Sequence, residues 1–363
     1  MQKSFVTIIL AAILGVTAGC SRTDTATSSS QTLLYTPRYA HGFSLTGDST
    51  AVTLNVFNPW QGADSVTISQ TFSRAATRII AMSTTHVALL DAIGATDCIV
   101  GVSGKRYINN PHIANNSNIV EVGYEGSTID YEAIAASGAD LVLLYGVNGA
   151  SSMEQKLREL GIPYMYIGDY LEQHPLGKAE WMVALGAVTG HLNHARQVFA
   201  REDSLYTALR NSSQADGTER PRVMLNAPYA GNWLLPPRNS YILQLIDDAG
   251  GQPVFNPAEG SSSQAVSFEE AYVMLDKADL WLNVNNYTTM AELLDANPKL
   301  ASSRPVTDKH VYNNNGRLNA AGGNDYYESA VARPSEILRE MRYILHPGND
   351  SMQEHLRYYR HLE

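Results

Sequence analysis

A proline-free run from Lys178 to Ser212 constrains this chain more than any other stretch. Its apolar and aromatic residues are Trp181, Leu185, Val188, Leu192, Ala195, Phe199, Tyr206 and Leu209, mostly three or four positions apart. That spacing draws one apolar stripe along an α-helix. At a rise of ~1.5 Å per residue the helix would extend on the order of 50 Å. A helix of that length suits a strut between two bodies better than one member of a packed layer.

The segments on either side of the run resemble each other. Asp130-Tyr131-Glu132 and Ser267-Phe268-Glu269 each place a capping residue, an aromatic and a glutamate at the start of a helix. Each is followed by Ala-Asp-Leu and an apolar strand, Leu141–Leu144 in one case and Leu280–Val284 in the other. A repeat of strand, helix and strand in the same order marks a duplicated architecture. Two α/β lobes joined by one helix leave a cleft between them.

Around these anchors the pattern alternates. Strands are expected at 77–82, 99–102, 141–144 and 164–167, with helices at 86–93, 130 onward and 153–160 between them. Gly94 and Gly161 end two of those helices. Past a linker at 218–221 the alternation resumes with strands at 222–225, 280–284 and 311–312. Helices are expected at 240–249, from Ser267, and at 334–346. Helices alternating with apolar strands call for largely parallel sheets. Short alternating segments such as Ala51–Val56 precede the first lobe and read as a small β extension.

The N-terminus has the form of a targeting segment. Lys3 is followed by apolar residues from Phe5 to Val16, then Thr17-Ala18-Gly19-Cys20. This resembles a bacterial lipobox, with Thr17 in place of the usual leucine; a lipidated Cys20 would then begin the mature chain. The division expected is residues 1–20 signal peptide, 21–32 flexible tether, 33–70 β extension, 71–177 N-terminal lobe, 178–213 bridging helix, 214–347 C-terminal lobe and 348–363 charged tail. No later apolar run is long enough to span a bilayer, so the lipid would be the sole membrane attachment. Only Cys98 remains beyond Cys20, which leaves no intrachain disulfide. A net charge of −10 without a basic run argues against nucleic acid as a partner.

Together these segments resemble the binding proteins of ABC importers for ferric siderophores, cobalamin and haem. The segments that carry the likeness are Arg78–Ser83, Gly94–Gly101, Tyr131–Val142 and Leu160–Pro163, then Asn239–Gly251 and Val266–Leu280. The match runs from Arg78 to Pro347. The stretch Gly322–Glu328 and the β extension look like members from Bacteroidetes-type bacteria. The resemblance implies two Rossmann-like lobes, mainly parallel, joined by one long rigid helix. It implies no catalysis and no cofactor of the protein's own. The ligand would be a metal chelate, a ferric siderophore or cobalamin ahead of haem, handed to a permease dimer with its ATPase. The protein would be a periplasmic, lipid-anchored monomer. In this family one glutamate per lobe meets arginines of the permease, and Glu132 and Glu269 occupy those positions, with Glu270 the alternative on the second lobe.

Ligands of open α/β sheets sit beyond the carboxyl ends of the strands. That rule nominates Thr84, Thr85, His86, Lys105, Arg106, Tyr107, Tyr124 and Tyr145 in the first lobe. In the second it nominates Tyr229, Trp233, Asn286, Tyr287, Arg317, Tyr326 and Tyr327. Aromatic faces suit a large planar or apolar ligand, and arginine suits a carboxylate or phosphate. Each has a plainer role open to it: a capping histidine, a strand-ending tyrosine, a solvated arginine. His191 and His194, three apart, lack an evident third metal ligand. The sequence holds no phosphate-binding glycine loop, nucleophile elbow or zinc-protease motif. A lipid-anchored α/β enzyme, such as a hydrolase or chelate reductase, and a capture protein without a permease remain the competing classes.

Overall fold

The computed structural model describes residues 32–363 except 49, 125–126, 216–218, 230 and 349–355. The signal segment, Cys20 and residues 21–31 of the tether lie outside the described residues.

The β extension is an antiparallel meander of β1 Thr32–Tyr35, β2 Phe43–Gly47, β3 Val52–Phe57 and β4 Thr67–Phe72. Phe43 and Leu45 on β2, with Leu54 and Val56 on β3, turn the same face inward, as the two-residue period requires. The first parallel sheet contains β5 Ile79–Ala81, β6 Ile99–Val102, β7 Val120–Glu121, β8 Leu141–Leu144 and β9 Tyr164–Tyr166, in the order β7-β6-β5-β8-β9. Its helices are α1 Thr84–Ala92, α2 Pro111–Ala114, α3 Tyr131–Ala136 and α4 Glu154–Glu159.

The expected single strut is two helices, α5 Pro175–Val188 and α6 Leu192–Ala215. Gly190 adopts φ +78°, a left-handed turn that an uninterrupted helix does not contain. The two helices then fold back against each other. A Cβ on Gly186 would lie 2.4 Å from the Cβ of Ala195, so the crossing closes only around glycine. Every residue of α5 except Lys178 is buried, whereas α6 buries Ala195, Phe199, Glu202 and Tyr206 along one stripe. The periodic stripe was real; the glycine inside it turned the strut into a hairpin of helices.

The second lobe begins with β10 Arg222–Leu225 and the antiparallel pair β11 Trp233–Leu235 and β13 Gln264–Val266. Helix α7 Tyr241–Asp248 and strand β12 Gln252–Pro253 intervene, and α8 Phe268–Leu275, β14 Leu280–Leu282, α9 Met290–Ala296, α10 Arg304–Thr307, β15 Val311–Asn313, α11 Pro334–Leu345 and β16 Arg360–His361 follow. The main sheet runs β12-β10-β14-β15-β16 and is parallel except for β16. The last described residues of the expected charged tail therefore form a sheet edge at β16, while 349–355 lie outside the described residues. Tyr358, Tyr359 and Leu362 are buried there, and Glu340 of α11 accepts the backbone N–H groups of residues 357–359.

The repeat has a structural cause. Asp140, just before β8, accepts N–H donations from Thr77 and Arg78 at the head of β5, each at 3.0 Å. Asp279, just before β14, accepts one from Arg222 at the head of β10 at 2.8 Å. In both lobes one aspartate satisfies the otherwise unpaired start of the neighbouring parallel strand. Asp130 caps α3, and Ser267 caps α8 in a capping box with Glu270.

Candidate functional site

The carboxyl ends of the two main sheets meet around a cavity of about 590 Å³. The first lobe contributes Thr84, at the start of α1, and Tyr107, after β6. The second contributes Asn286, after β14, and Asn315, Leu318, Gly322, Gly323, Asn324 and Tyr327, after β15. A neighbouring groove of about 950 Å³ is walled by Lys105, Arg106, Asn109, Glu121 and Tyr124 on one side and Asn319–Ala321 on the other.

Asparagines build the second-lobe wall. Asn283 and Asn285 take left-handed φ of 61° and 56° directly after β14, a conformation this side chain tolerates better than most. The Asn313 amide donates to the carbonyls of Asn285 at 2.9 Å and Tyr287 at 2.7 Å, and the Asn315 amide to that of Tyr287 at 3.0 Å. The loops after β14 and β15 are thereby fixed to each other.

The loop after β15 then crosses to the first lobe. Glu328, 2% exposed, accepts N–H donations from the backbones of Asn109 at 2.6 Å and Asn110 at 2.9 Å. The Asn319 amide donates to the carbonyl of Arg106 at 3.0 Å, and the Thr84 hydroxyl to that of Tyr327 at 3.1 Å. Burial pushes the Glu328 carboxyl upward, opposed by the Asn109 and Asn110 hydrogen bonds. This clasp sets the width of the cleft on one side.

The nominated residues divide in three. Tyr107 and Tyr327 face the cleft, while Arg106 and Tyr124 stand at its edge in the neighbouring groove. The Arg106 guanidinium sits 4.6 Å from the centre of the Tyr107 ring and donates to its hydroxyl at 2.6 Å. Tyr229 is exposed at the tip of a turn, and Tyr145 and Tyr287 are half-buried against the core. Arg317 is held by the buried Asp325 at 3.0 Å. The rest belong to the interior. Trp233 is fully buried in β11, donates its indole N–H to the Leu225 carbonyl at 2.7 Å and packs on Trp281. The Gly- and Pro-rich sequence around it is a hairpin folded over the sheet, which turns the indole inward. Tyr326 is buried between Tyr327 and Tyr359, the latter just before the C-terminal strand.

His86 is also interior, and Thr85 bonds beneath the cleft rather than into it: its hydroxyl lies 3.2 Å from Asp169. Burial pushes His86 down to about 3 and Asp169 up to about 6, from 6.5 and 3.8. The raised acid contributes stability that is present below about pH 4 and lost as pH rises through 6. The depressed imidazole contributes stability that is present above 6.5 and lost on acidification toward 3. Between pH 4 and 6 the two slopes oppose. Asp169→Asn removes one of them, so on acidification from 6 to 4 the variant should lose stability relative to wild type, on the order of 1 kcal/mol per pH unit. Urea unfolding at several pH values reads this directly; parallel curves would refute it.

The wall residues Asn315, Leu318 and Gly322–Asn324, and the clasp residue Glu328, escaped the sequence reading. Gly322-Gly323-Asn324 stood out as a motif but follows a short strand, and nothing local shows that the loop reaches across to Asn109. Among the described residues no three His, Cys, Asp or Glu side chains gather as metal ligands, and no helix is long and apolar enough to cross a membrane.

With the geometry in place, comparison with known proteins is decisive for the family. Residues 79–317 match the family described as periplasmic binding protein, and the chain belongs to it. An uncharacterized lipoprotein of Methanocaldococcus jannaschii is 25% identical over 284 residues, 75% of this chain and 65% of that protein. The chain thus spans just under two thirds of that relative's length. A periplasmic binding protein from Veillonella parvula superposes with a TM-score of 0.61 at 15% identity, covering 82% of this chain and 99% of its own. A periplasmic heme binding protein from Pseudomonas aeruginosa gives 0.58 at 16% identity, covering 77% and 96%. The two-lobed α/β fold is shared with these solved structures.

Proposed function

We propose that this protein captures a metal chelate in the interlobe cleft and presents it to the inner-membrane permease of an ABC importer, performing no chemistry on it. The cleft carries the reading. Thr84 and Tyr107 face Asn286 and Tyr327 across the carboxyl ends of two sheets, where such folds bind ligands. Arg106 and Tyr124 extend the contact surface, and a lipidated Cys20 would hold the monomer at the membrane. Haem is the second reading, favoured by the heme-binding neighbour and by Tyr327, an exposed phenol in the cleft.

Glu132 and Glu269 are the docking residues in this reading. Both are exposed in the first turns of equivalent helices, where the helix dipole favours a carboxylate. Glu270 is engaged by Ser267, which leaves Glu269 as the free carboxylate. Absorbance-monitored titration with cyanocobalamin, haemin and ferric siderophores tests capture. Reversing the charge of Glu132 and Glu269 together should leave that titration unchanged and abolish uptake in cells. Normal uptake by the double variant overturns the docking assignment.

A further inference from the structure

We propose that the cleft selects a chelate whose buried face is uncharged and rich in amide, hydroxamate or hydroxyl groups, and rejects polyanionic chelates; this rests on the chelate-capture reading above. Among the described residues lining the cleft, none carries an acidic or cationic side chain. Its polar groups are the Asn286, Asn315 and Asn324 amides, the Thr84 hydroxyl and the phenols of Tyr107 and Tyr327.

Most charges near the cleft are already committed. Lys105 donates its ammonium to the carbonyls of Asn116 and Ile119, and Arg317 is paired with buried Asp325. Glu121 accepts N–H donations from Gly104, Lys105 and Gly123, and Glu328 from Asn109 and Asn110. Arg106 stacks on Tyr107 and lines the adjacent groove, outside the cleft lining. A carboxylate or catecholate buried against the asparagine wall would lose its hydration without gaining a countercharge.

Neutral hydrogen bonding is well provided for. The Tyr107 and Tyr327 hydroxyls accept from Arg106 and from the Asn314 amide, which leaves each phenolic proton to donate. Asn315 is 3% exposed, and its Oδ1 is a buried acceptor without a partner among the described residues. A ligand carbonyl meets the phenols and a ligand N–H meets the exposed Asn286 amide, a pattern that amide-bearing corrinoids and neutral hydroxamates both supply.

The test titrates the full chain with four probes: cyanocobalamin, a neutral ferric trihydroxamate, haemin and a ferric tris-catecholate. At least one of the first two should bind about 100-fold tighter than either anion, a factor that unpaired burial of a charge readily supplies. Which one binds separates the corrinoid source from the hydroxamate source. Exposed Asn286 offers a second arm: Asn286→Arg should raise affinity for the anionic probes about tenfold and lower it for the neutral one. Equal or tighter binding of haemin or the tris-catecholate by wild type overturns the inference while leaving chelate capture standing. Binding of none of the four overturns chelate capture itself.

Discussion

Replacing Glu180 with alanine is expected to lower the unfolding free energy by about 3–5 kcal/mol. Glu180 is fully buried on α5 and accepts four hydrogen bonds from the end of β1 and the link that follows it. They come from the Tyr35 hydroxyl at 2.6 Å and the backbone N–H groups of Arg38, Tyr39 and Ala40 at 2.8 Å each. Just before α5, Glu172 accepts from His41, Gly42 and the Trp181 indole. The two carboxylates accept all five backbone N–H groups of residues 38–42. Alanine at 180 would strand donors that water reaches poorly, the costliest way to lose a hydrogen bond. Glu180→Gln keeps one oxygen acceptor and should fall between wild type and alanine. Urea unfolding gives the loss. Limited proteolysis gives its location, since residues 35–42 should become cleavable before either lobe does. A loss below about 1 kcal/mol would mean that the extension is held by Phe43 on Trp181 and not by the carboxylates.

That role for Glu180 could not be read from the sequence, because a glutamate inside an apolar stripe looks like its solvent face. What the sequence did disclose was set by local chemistry. The strands at 99–102, 141–144 and 222–225 coincide with β6, β8 and β10, since each is a short apolar run bounded by turn residues. The capping signals at Asp130 and Ser267 hold for the same reason: N-cap preference is decided within four residues. The reading failed where a distant segment decides. Gly190 was in plain view, yet whether it breaks the helix depended on α5 and α6 packing face to face at Gly186 and Ala195. His86 and Tyr326 follow strands but are buried, and Trp233 lies within β11 with its indole buried. Thr84 and Tyr107, one or two positions from residues that turn inward, kept their access to the cleft. The sequence pattern located the loops of the site; the inward or outward sense of each side chain depended on what folds over it.

The clasp over the cleft provides the second large effect. Gly323→Val should separate the loop after β15 from the loop after β6 and reduce chelate affinity by about 100-fold or more. A Cβ at 323 would lie 1.9 Å from the Tyr107 carbonyl oxygen and 2.7 Å from its Cα, so only backbone movement relieves the overlap. Moving that loop breaks the Asn109 amide contact to the Gly323 carbonyl at 3.2 Å, the Asn319 contacts to the carbonyls of Arg106 and Ile108, and the seating of Asn109 and Asn110 on Glu328. Tyr107 and Tyr327, on opposite walls of the cavity, would lose the spacing that lets one ligand touch both. Gly322→Ala is the matched control. It has φ +87° but no atom within 4 Å of a new Cβ, so it should cost only about 1–2 kcal/mol of backbone strain. Hydrogen exchange supplies a readout that needs no ligand. The amides of Asn109 and Asn110 should be protected in wild type and in Gly322→Ala, and should exchange at least tenfold faster in Gly323→Val. Unchanged protection together with unchanged affinity would show that the lobes close on their ligand without this contact.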